Sequence, residues 1–276
     1  MPELPEVETI ARTLAPQIEG VCIAGLTVLR AKSLHAEKSH TAALAGALIH
    51  RVHRRAKLLL IDLTPLPEHG PTLILAFHLK MTGRFFVHAP NAPPNKHTRL
   101  IFELTTGRRL FFDDMRTFGY CRILRPKELA RWDFWASLGP EPLDTPPKIL
   151  AERLGARNAT IKAALLDQRV LAGAGNIYAD ESLFRAGISP SARASSIPAR
   201  RRTALARALQ DVLRQSIEEC GSSIRNYRDA DGNAGAFQNR FAVYGKKGLP
   251  CPRCGHSLQS ARIAGRGTVF CAHCQK

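Results

Sequence analysis

Apolar residues recur every three or four positions in the first eighteen residues of the chain. One face of this helical repeat holds Leu4, Val7, Ile10, Ala11 and Leu14. Proline and glutamate early in the segment are residue types that suit the first turn of a helix. The pattern therefore predicts a helix that begins near residue 3.

Beyond the first helix the pattern changes twice. From Val21 to Leu124 it consists of short apolar runs typical of strands: CIAGLTVL, KLLLIDL, TLILAFHL and RLIFELTTGRRLFFDD, the last a hairpin that turns near Thr106 and Gly107. Five prolines from Arg125 to Pro147 indicate a linker, with a short helical piece around Trp132. Helical spacing then returns, and it predicts a long helix from about Pro198 to Glu219.

Composition places this chain among soluble globular proteins. Its 276 residues suit two domains, and 45% hydrophobic with 23% charged residues is a globular balance. No apolar run approaches the roughly 18 to 20 residues of a membrane span. The amino terminus carries acids and lacks the basic and apolar regions of a secretory signal, so a cytoplasmic location is expected.

The charge is strongly positive. Forty Lys and Arg against 23 Asp and Glu give a net charge of +17. One basic cluster lies between Glu37 and Asp62, and no acid follows Asp231. Either cluster alone is explained by a solvated charged surface, but together with the global excess they favour nucleic acid as the partner.

Four of the seven cysteines form two CxxC pairs separated by 16 residues near the end of the chain. Cys251, Cys254, Cys271 and Cys274 have the spacing of a zinc ribbon that holds one structural Zn²⁺. Redox motifs or disulfides suit a cytoplasmic chain poorly. The other three, Cys22, Cys121 and Cys220, are expected to be buried small apolar residues.

The segment MPELPE offers a candidate nucleophile. Removal of Met1 would leave Pro2 with a free secondary amine, and an α-amino group titrates far below lysine. Attack of this amine on the anomeric carbon of a nucleotide would give an iminium cation directly. Glu3 could transfer a proton, and Glu6, one turn on, could hold charge or water. A capped helix start is the alternative explanation of the same residues.

MPELPEVET, LAGAGNIYADESLF and the terminal ribbon together resemble the formamidopyrimidine-DNA glycosylase family, and the resemblance covers the chain from end to end. It implies an α+β multidomain protein with four parts: an N-terminal catalytic β-sandwich flanked by helices (2–130), a linker (131–150), a helix-two-turns-helix domain (151–240) and a zinc ribbon (241–276). The implied activity is base excision repair in bacteria. The enzyme would remove oxidised purines such as 8-oxoguanine and formamidopyrimidines from double-stranded DNA, and would act as an AP lyase by β,δ-elimination. The expected form is a cytoplasmic, nucleoid-associated monomer.

The resemblance also implies roles for single residues. Pro2 is the implied nucleophile, Glu3 the general acid and base, and Glu6 a supporting carboxylate. Lys57, in RRAKLLL, matches a lysine that contacts phosphate and the damaged nucleotide. Arg266, in AGRG, matches an arginine that binds phosphates on both sides of the lesion.

Two further residues are candidate phosphate ligands. Asn176, in GAGN, matches an asparagine that binds phosphate where the two turns meet. Gly173 and Gly175 suit tight turns before a helix whose amino end faces an anion, although a plain interhelical turn explains them too. His78 could contact phosphate, or could be an ordinary strand histidine.

An enzyme that acts on a base inside a duplex must flip it out and fill the gap. HLKMTGR and DMRTFG resemble the two wedge loops of the family, which implies Met81, Arg116 and Phe118 as the fillers. Two residues depart from the family pattern. Lys80 stands where glycine is common and Met115 where proline is common, so each wedge loop contains one departure.

Three other functions are compatible with parts of the sequence. An endonuclease VIII-like enzyme would prefer oxidised pyrimidines, but the segment from Arg225 to Phe237, with Gly232 and Gly235, resembles the base-capping loop of the purine branch. A catalytically silent lesion-binding protein would not need Pro2, Glu3 and Lys57. A zinc-ribbon regulator of transcription would leave the amino terminus without a role.

Overall fold

In the computed structural model, residues 2–224 and 227–276 are described. Contacts between residues divide them into two compact units. Unit 1 comprises the described residues of Met1–Ala136 and Cys220–Gly235, and unit 2 comprises those of Ser137–Glu219 and Ala236–Lys276. The domain boundaries expected from the resemblance, at 130, 150 and 240, stay predictions.

Unit 1 opens with the predicted helix, α1 (Leu4–Ile18), which begins one residue after Glu3. Its apolar stripe packs on a core shared with two β-sheets. The first sheet contains β1 (Ile23–Val28), β6 (Gly83–His88), β7 (Thr98–Leu104) and β8 (Arg109–Asp114), in the order β1-β7-β8-β6. The second contains β2 (Leu34–His35), β3 (Leu48–Arg55), β4 (Leu58–Thr64), β5 (Leu73–His78) and β9 (Tyr120–Leu124), in the order β2-β9-β5-β4-β3.

The two sheets pack face to face, as the predicted sandwich requires. Phe77 of β5 makes edge contacts with Phe85 and Phe102 of the other sheet, at ring-centroid distances of 4.8 and 6.0 Å. The alternate residues Ile74 and Ala76 pack in a second apolar cluster with Leu129 and the half-buried Trp132. Both faces of β5 are therefore buried, which explains its unbroken apolar run TLILAFHL.

The hairpin predicted near Thr106 and Gly107 is confirmed, since β7 and β8 pair antiparallel and Gly107 has φ +81°. Strands β2, β3, β6 and β9 were not among the predicted runs. In β3 only Ile49 and Val52 are buried, and the register shifts just after Ile49. This strand lies at the edge of its sheet, where charged side chains and irregular register are common.

Short helices complete unit 1. These are α2 (Lys38–Ala42), α3 (Pro126–Arg131) and α4 (Asp133–Ala136), with 3₁₀ turns at Ala31–Ser33 and Pro67–His69. Helices α3 and α4 flank Trp132, as predicted. Cys121 is buried as expected, but Cys22 is half-buried and Cys220 is exposed. The expectation for these two cysteines was wrong, because Cys220 follows a helix end with φ +58° rather than a core position.

Unit 2 is helical and ends in a small hairpin. Its helices are α5 (Pro147–Gly155), α6 (Ile161–Leu166), α7 (Asn176–Ala186) and α8 (Ala199–Glu218), with 3₁₀ turns at Ala194–Ser196 and Phe237–Arg240. Helix α8 is the predicted long helix. The hairpin consists of β10 (Gln259–Ile263) and β11 (Arg266–Phe270). Among the described residues, no helix is both long and apolar enough to cross a membrane.

Candidate active site

The first turn of α1 holds three predicted site residues in a buried environment. Pro2 is buried, and Glu3 and Glu6 are 3% and 2% exposed. The Glu6 Oε2 atom accepts a hydrogen bond from the backbone N–H of Glu3 at 2.8 Å. This is half of a capping box, so the sequence that begins the helix also fixes the second carboxylate.

Glu6 is held from a second direction by a segment far along the chain. Its Oε1 atom accepts the backbone N–H of Ser222 at 2.8 Å, and the Tyr227 hydroxyl donates to the Glu6 carbonyl oxygen at 3.3 Å. Burial, together with the charge of Glu6, raises the pKa of Tyr227. A carboxylate that accepts two backbone N–H groups is stabilised in its charged form. Glu6 can therefore act as a fixed negative charge beside Pro2 and Glu3.

Glycines in this segment allow the close approach. Gly221 has φ +82°, and a Cβ there would lie 3.1 Å from the Glu6 Cγ atom. A Cβ on Gly235 would lie 2.2 Å from the Gly221 carbonyl oxygen, which no side chain can tolerate. In the predicted base-capping segment, Arg225 and Asn226 lie outside the described residues.

Lys57 and His78 lie in neighbouring parts of the five-stranded sheet. Lys57 is 7% exposed and follows Ala56, which has φ +55°, in the turn between β3 and β4. His78 ends β5 opposite Leu58, the residue after Lys57. Burial, with the charges of Lys80 and Lys57, lowers the pKa of His78 to about 3.

The tautomer of His78 follows from one hydrogen bond. The backbone N–H of Lys80 donates to His78 Nδ1 at 3.1 Å. Because a neutral imidazole carries its single proton on the other nitrogen, Nε2 is left as a donor. His78 is therefore an uncharged donor in a positive environment, which suits contact with an anionic oxygen.

The structure brings the three predicted wedge residues together from two loops. Arg116 Nη1 lies 2.9 Å from the Met81 sulfur, and the Arg116 guanidinium carbon lies 5.0 Å from the centre of the Phe118 ring. Met81 and Phe118 are 40% and 53% exposed, which is unusual for large apolar side chains. Asp114 positions the second loop by accepting the Gly119 N–H at 2.7 Å.

Both wedge loops contain a backbone conformation that side chains rarely adopt. Lys80, just before Met81, has φ +51°, and Thr117, between Arg116 and Phe118, has φ +59°. For a β-branched residue such as threonine this region is a genuine outlier. Such strain clusters at functional sites, and here it lies next to every exposed wedge side chain.

In unit 2, Asn176 is the first residue of α7, after turns in which Gly173 has φ +91°. Its Nδ2 atom donates to the carbonyl oxygen of Gly267 at 2.9 Å. Gly267 directly follows Arg266 in β11. The structure therefore brings together the two backbone segments that carry the predicted phosphate ligands Asn176 and Arg266.

A buried ion pair that the sequence did not reveal fixes this arrangement. Lys162 is fully buried, and its Nζ atom lies 2.6 Å from Asp180 Oδ1 and 2.7 Å from Thr268 Oγ1. Asp180 also accepts the Val269 N–H at 3.3 Å. Three elements, α6, α7 and β11, meet at this pair. The only sequence signal was the position of Asp180 one turn after Asn176 in GNIYADESLF.

Arg266 lies beside the tip of the terminal hairpin. The turn consists of Ala264 and Gly265, both with positive φ, and Ile263 pairs with Arg266 across it. A two-residue turn with both φ values positive matches the twist of an antiparallel hairpin. Arg266 is exposed there, so its guanidinium can reach an external anion.

The four predicted zinc ligands converge. The sulfur of Cys251 lies 3.9 Å from that of Cys274, and the sulfur of Cys254 lies 3.5 Å from that of Cys271. Four thiolates about 2.3 Å from one Zn²⁺ are roughly 3.8 Å apart, whereas a disulfide requires about 2.05 Å. The four cysteines thus fit one structural zinc, with every tetrahedral position filled by protein.

Three family models match the chain. The formamidopyrimidine-DNA glycosylase N-terminal domain matches residues 1–121, the H2TH domain of the same family matches residues 138–228, and a zinc finger found in FPG and IleRS matches residues 248–276. These matches include the segments that carry Pro2, Asn176 and the four cysteines.

Curated relatives and solved structures agree with these matches. The chain is 43% identical to the formamidopyrimidine-DNA glycosylase of Nitratidesulfovibrio vulgaris, with 100% of both chains covered. It is 46% identical to that of Chloroflexus aggregans, covering 100% of this chain and 98% of the relative. The crystal structure of MutM (FPG) from Thermus thermophilus has a TM-score of 0.87 at 41% identity. The match covers 99% of this chain and 98% of that chain. A Lactococcus lactis FPG mutant in complex with a Fapy-dG containing DNA has a TM-score of 0.90 at 33% identity, covering 100% of both chains.

Proposed function

Because this chain belongs to the formamidopyrimidine-DNA glycosylase family, we propose that it is a base excision repair glycosylase with AP lyase activity. Its substrates are oxidised purines, such as 8-oxoguanine and formamidopyrimidines, in double-stranded DNA. The observation that carries the proposal is the buried pair Glu3 and Glu6 beside Pro2, with Glu6 held by two backbone N–H groups. The proposed location is the bacterial cytoplasm, and the proposed form is a monomer.

The proposed reaction begins at the Pro2 nitrogen. After removal of Met1, this secondary amine attacks C1′ of the damaged nucleotide as Glu3 donates a proton. The glycosidic bond breaks with its electron pair leaving on the base, which takes the proton from Glu3. Glu3 then regains the proton that the Pro2 nitrogen releases and passes it to O4′, so that the C1′–O4′ bond breaks, the sugar ring opens and an iminium cation is left between Pro2 and C1′. Loss of the C2′ proton then expels the 3′ phosphate, and a second elimination expels the 5′ phosphate. Glu6 stabilises the positive charge from a fixed position.

Other residues hold the DNA. In this proposal Lys57, His78, Asn176 and Arg266 contact phosphates, and Met81, Arg116 and Phe118 fill the gap left by the flipped nucleotide. The exposed cluster of the last three residues supports the wedge role. The zinc ion shapes the terminal hairpin that carries Arg266 and supplies no chemistry.

The nucleophile is tested by borohydride trapping on a duplex with one 8-oxoguanine. The mature protein is expected to form a covalent adduct, and a Met1-retaining form is expected to form none. Pro2→Gly should lose only part of the trapping, because glycine still offers a terminal amine. Equal trapping by the Met1-retaining form would refute the assignment of Pro2.

The role of Glu3 as general acid is tested by Glu3→Gln, which alters proton transfer but not the shape of the side chain. This variant should bind the duplex normally and lose most base excision in single-turnover assays. The matched control is Glu8→Gln on the same helix, because Glu8 forms ion pairs with Arg12 and Arg54 at 2.8 and 3.0 Å. Full excision by Glu3→Gln would place the general acid elsewhere.

A further inference from the structure

A second group of potential metal ligands lies in unit 1, apart from the four cysteines. Glu37 precedes α2, His40 lies in α2 and Glu128 lies in α3. One ligand atom from each residue lies within 4.8 Å of the other two. None of these residues belongs to the catalytic or phosphate-binding sets proposed above.

His40 is oriented as metal-bound histidines are. Its side chain is 3% exposed, and Nδ1 lies 3.1 Å from the carbonyl oxygen of Ile123. A carbonyl oxygen can only accept, so Nδ1 carries a proton. In the neutral ring, the lone pair of Nε2 is then directed away from Ile123. Such a hydrogen bond from the second ring nitrogen to a carbonyl is the usual support of a histidine ligand.

The Nε2 atom points between two carboxylates without hydrogen bonding to either. It lies 3.6 Å from Glu128 Oε2 and 4.0 Å from Glu37 Oε2. A charge-assisted N–H···O hydrogen bond is about 2.7 to 2.9 Å long, so neither separation is that of a hydrogen bond. Two ligand atoms bound at about 2.0 to 2.2 Å to one ion lie at most roughly 4.4 Å apart, which accommodates both distances.

We propose that Glu37, His40 and Glu128 bind a divalent transition-metal ion such as Zn²⁺. One imidazole nitrogen and two carboxylate oxygens form a ligand set that zinc accepts. The Glu128 carboxylate also accepts the Arg125 N–H at 2.7 Å, so a backbone donor orients it. The ion neutralises two acidic groups around a buried nitrogen and links α2 to α3. This site is separate from the proposed chemistry on DNA.

The test is the zinc content of the folded, full-length protein at pH 7.5, measured by equilibrium dialysis against defined free zinc. The wild type is expected to hold two ions per chain, one of them on the four cysteines. His40→Gln and Glu37→Gln are expected to hold one. Glu37 is the safer position for folding, because its side chain is 71% exposed.

Matched controls are His50→Gln and Glu68→Gln, which change an exposed histidine and an exposed glutamate of the same unit and should keep two ions. The second equivalent of zinc should raise the melting temperature of the wild type and of both controls, but not of His40→Gln or Glu37→Gln. One ion per wild-type chain, or two ions in both site variants, would overturn the proposal. The first result would identify the cluster as an ion pair only.

Discussion

At the scale of single residues, His78 shows how burial sets a protonation state. Its folded pKa of about 3 lies below the ordinary value of 6.5, because of burial and the charges of Lys80 and Lys57. As pH falls below 6.5 the unfolded chain gains a proton that the folded chain does not, so stability is lost. At 1.36 kcal/mol per pH unit, this loss is about 2 kcal/mol between pH 6.5 and 5.

His78→Gln removes this titrating group. Between pH 6.5 and pH 5 the free energy of unfolding of the variant should therefore fall by about 2 kcal/mol less than that of the wild type. The measurement is the free energy of unfolding in urea at pH 6.5 and pH 5. The control is His50→Gln, which changes an exposed histidine and should keep the wild-type slope. A wild-type slope in His78→Gln would mean that His78 is protonated in the folded protein.

At the scale of elements, the two wedge loops predict a preference for the base opposite the lesion. The Arg116 guanidinium can donate to the adjacent O2 and N3 acceptors of cytosine together, whereas adenine presents an N6 donor beside N1. An unsatisfied buried donor costs roughly 1 to 3 kcal/mol, so excision opposite cytosine should exceed that opposite adenine by about tenfold or more.

Arg116→Ala should compress this ratio, and Phe118→Ala should slow both reactions alike because stacking does not depend on base identity. Single-turnover rates on the two duplexes measure both effects. The Arg116 assignment fails if the variant keeps the wild-type ratio. Lys80 and Thr117 have positive φ angles in these two loops, a backbone conformation that clusters at functional sites.

The junction of α6, α7 and β11 carries a second prediction at this scale. Lys162→Met would leave Asp180 buried beside an apolar side chain, and breaking a buried ion pair from one side costs about 3 to 5 kcal/mol. The control is Arg214→Ala in α8, whose exposed ion pair with Asp211 spans 3.6 Å and should contribute about 0.5 kcal/mol or less. The free energy of unfolding in urea measures the stability lost in each variant. Equal losses in Lys162→Met and Arg214→Ala would show that the buried ion pair is not essential.

At the scale of the whole molecule, the net charge of +17 predicts DNA binding that weakens steeply with salt. Arg266→Ala should weaken binding to any duplex and make the slope of log K against log salt shallower by about 1. Arg214→Ala removes an equally charged side chain from α8 and should keep the wild-type slope. An unchanged slope in Arg266→Ala would remove it from the phosphate ligands.

The sequence by itself determined the features that depend on neighbours along the chain. The start of α1, the hairpin at Gly107, the helix α8 and the four zinc cysteines all follow from periodicity or spacing within about 25 residues. Family membership could also be inferred, because its motifs are short and contiguous. The roles of the site residues stay proposals for the experiments above.

Only the tertiary structure decided which groups hold these motifs in place. Ser222 is 216 positions from Glu6, and Thr268 is 106 positions from Lys162, yet each pair shares a hydrogen bond. The edge strand β3 was missed for a related reason, since its pairing with β4 stabilises a segment in which most side chains are polar. Local patterns report what a segment buries, whereas contacts between distant segments depend on how the whole chain packs. The sequence therefore identified the candidate site residues, and the folded chain determined which distant groups hold them.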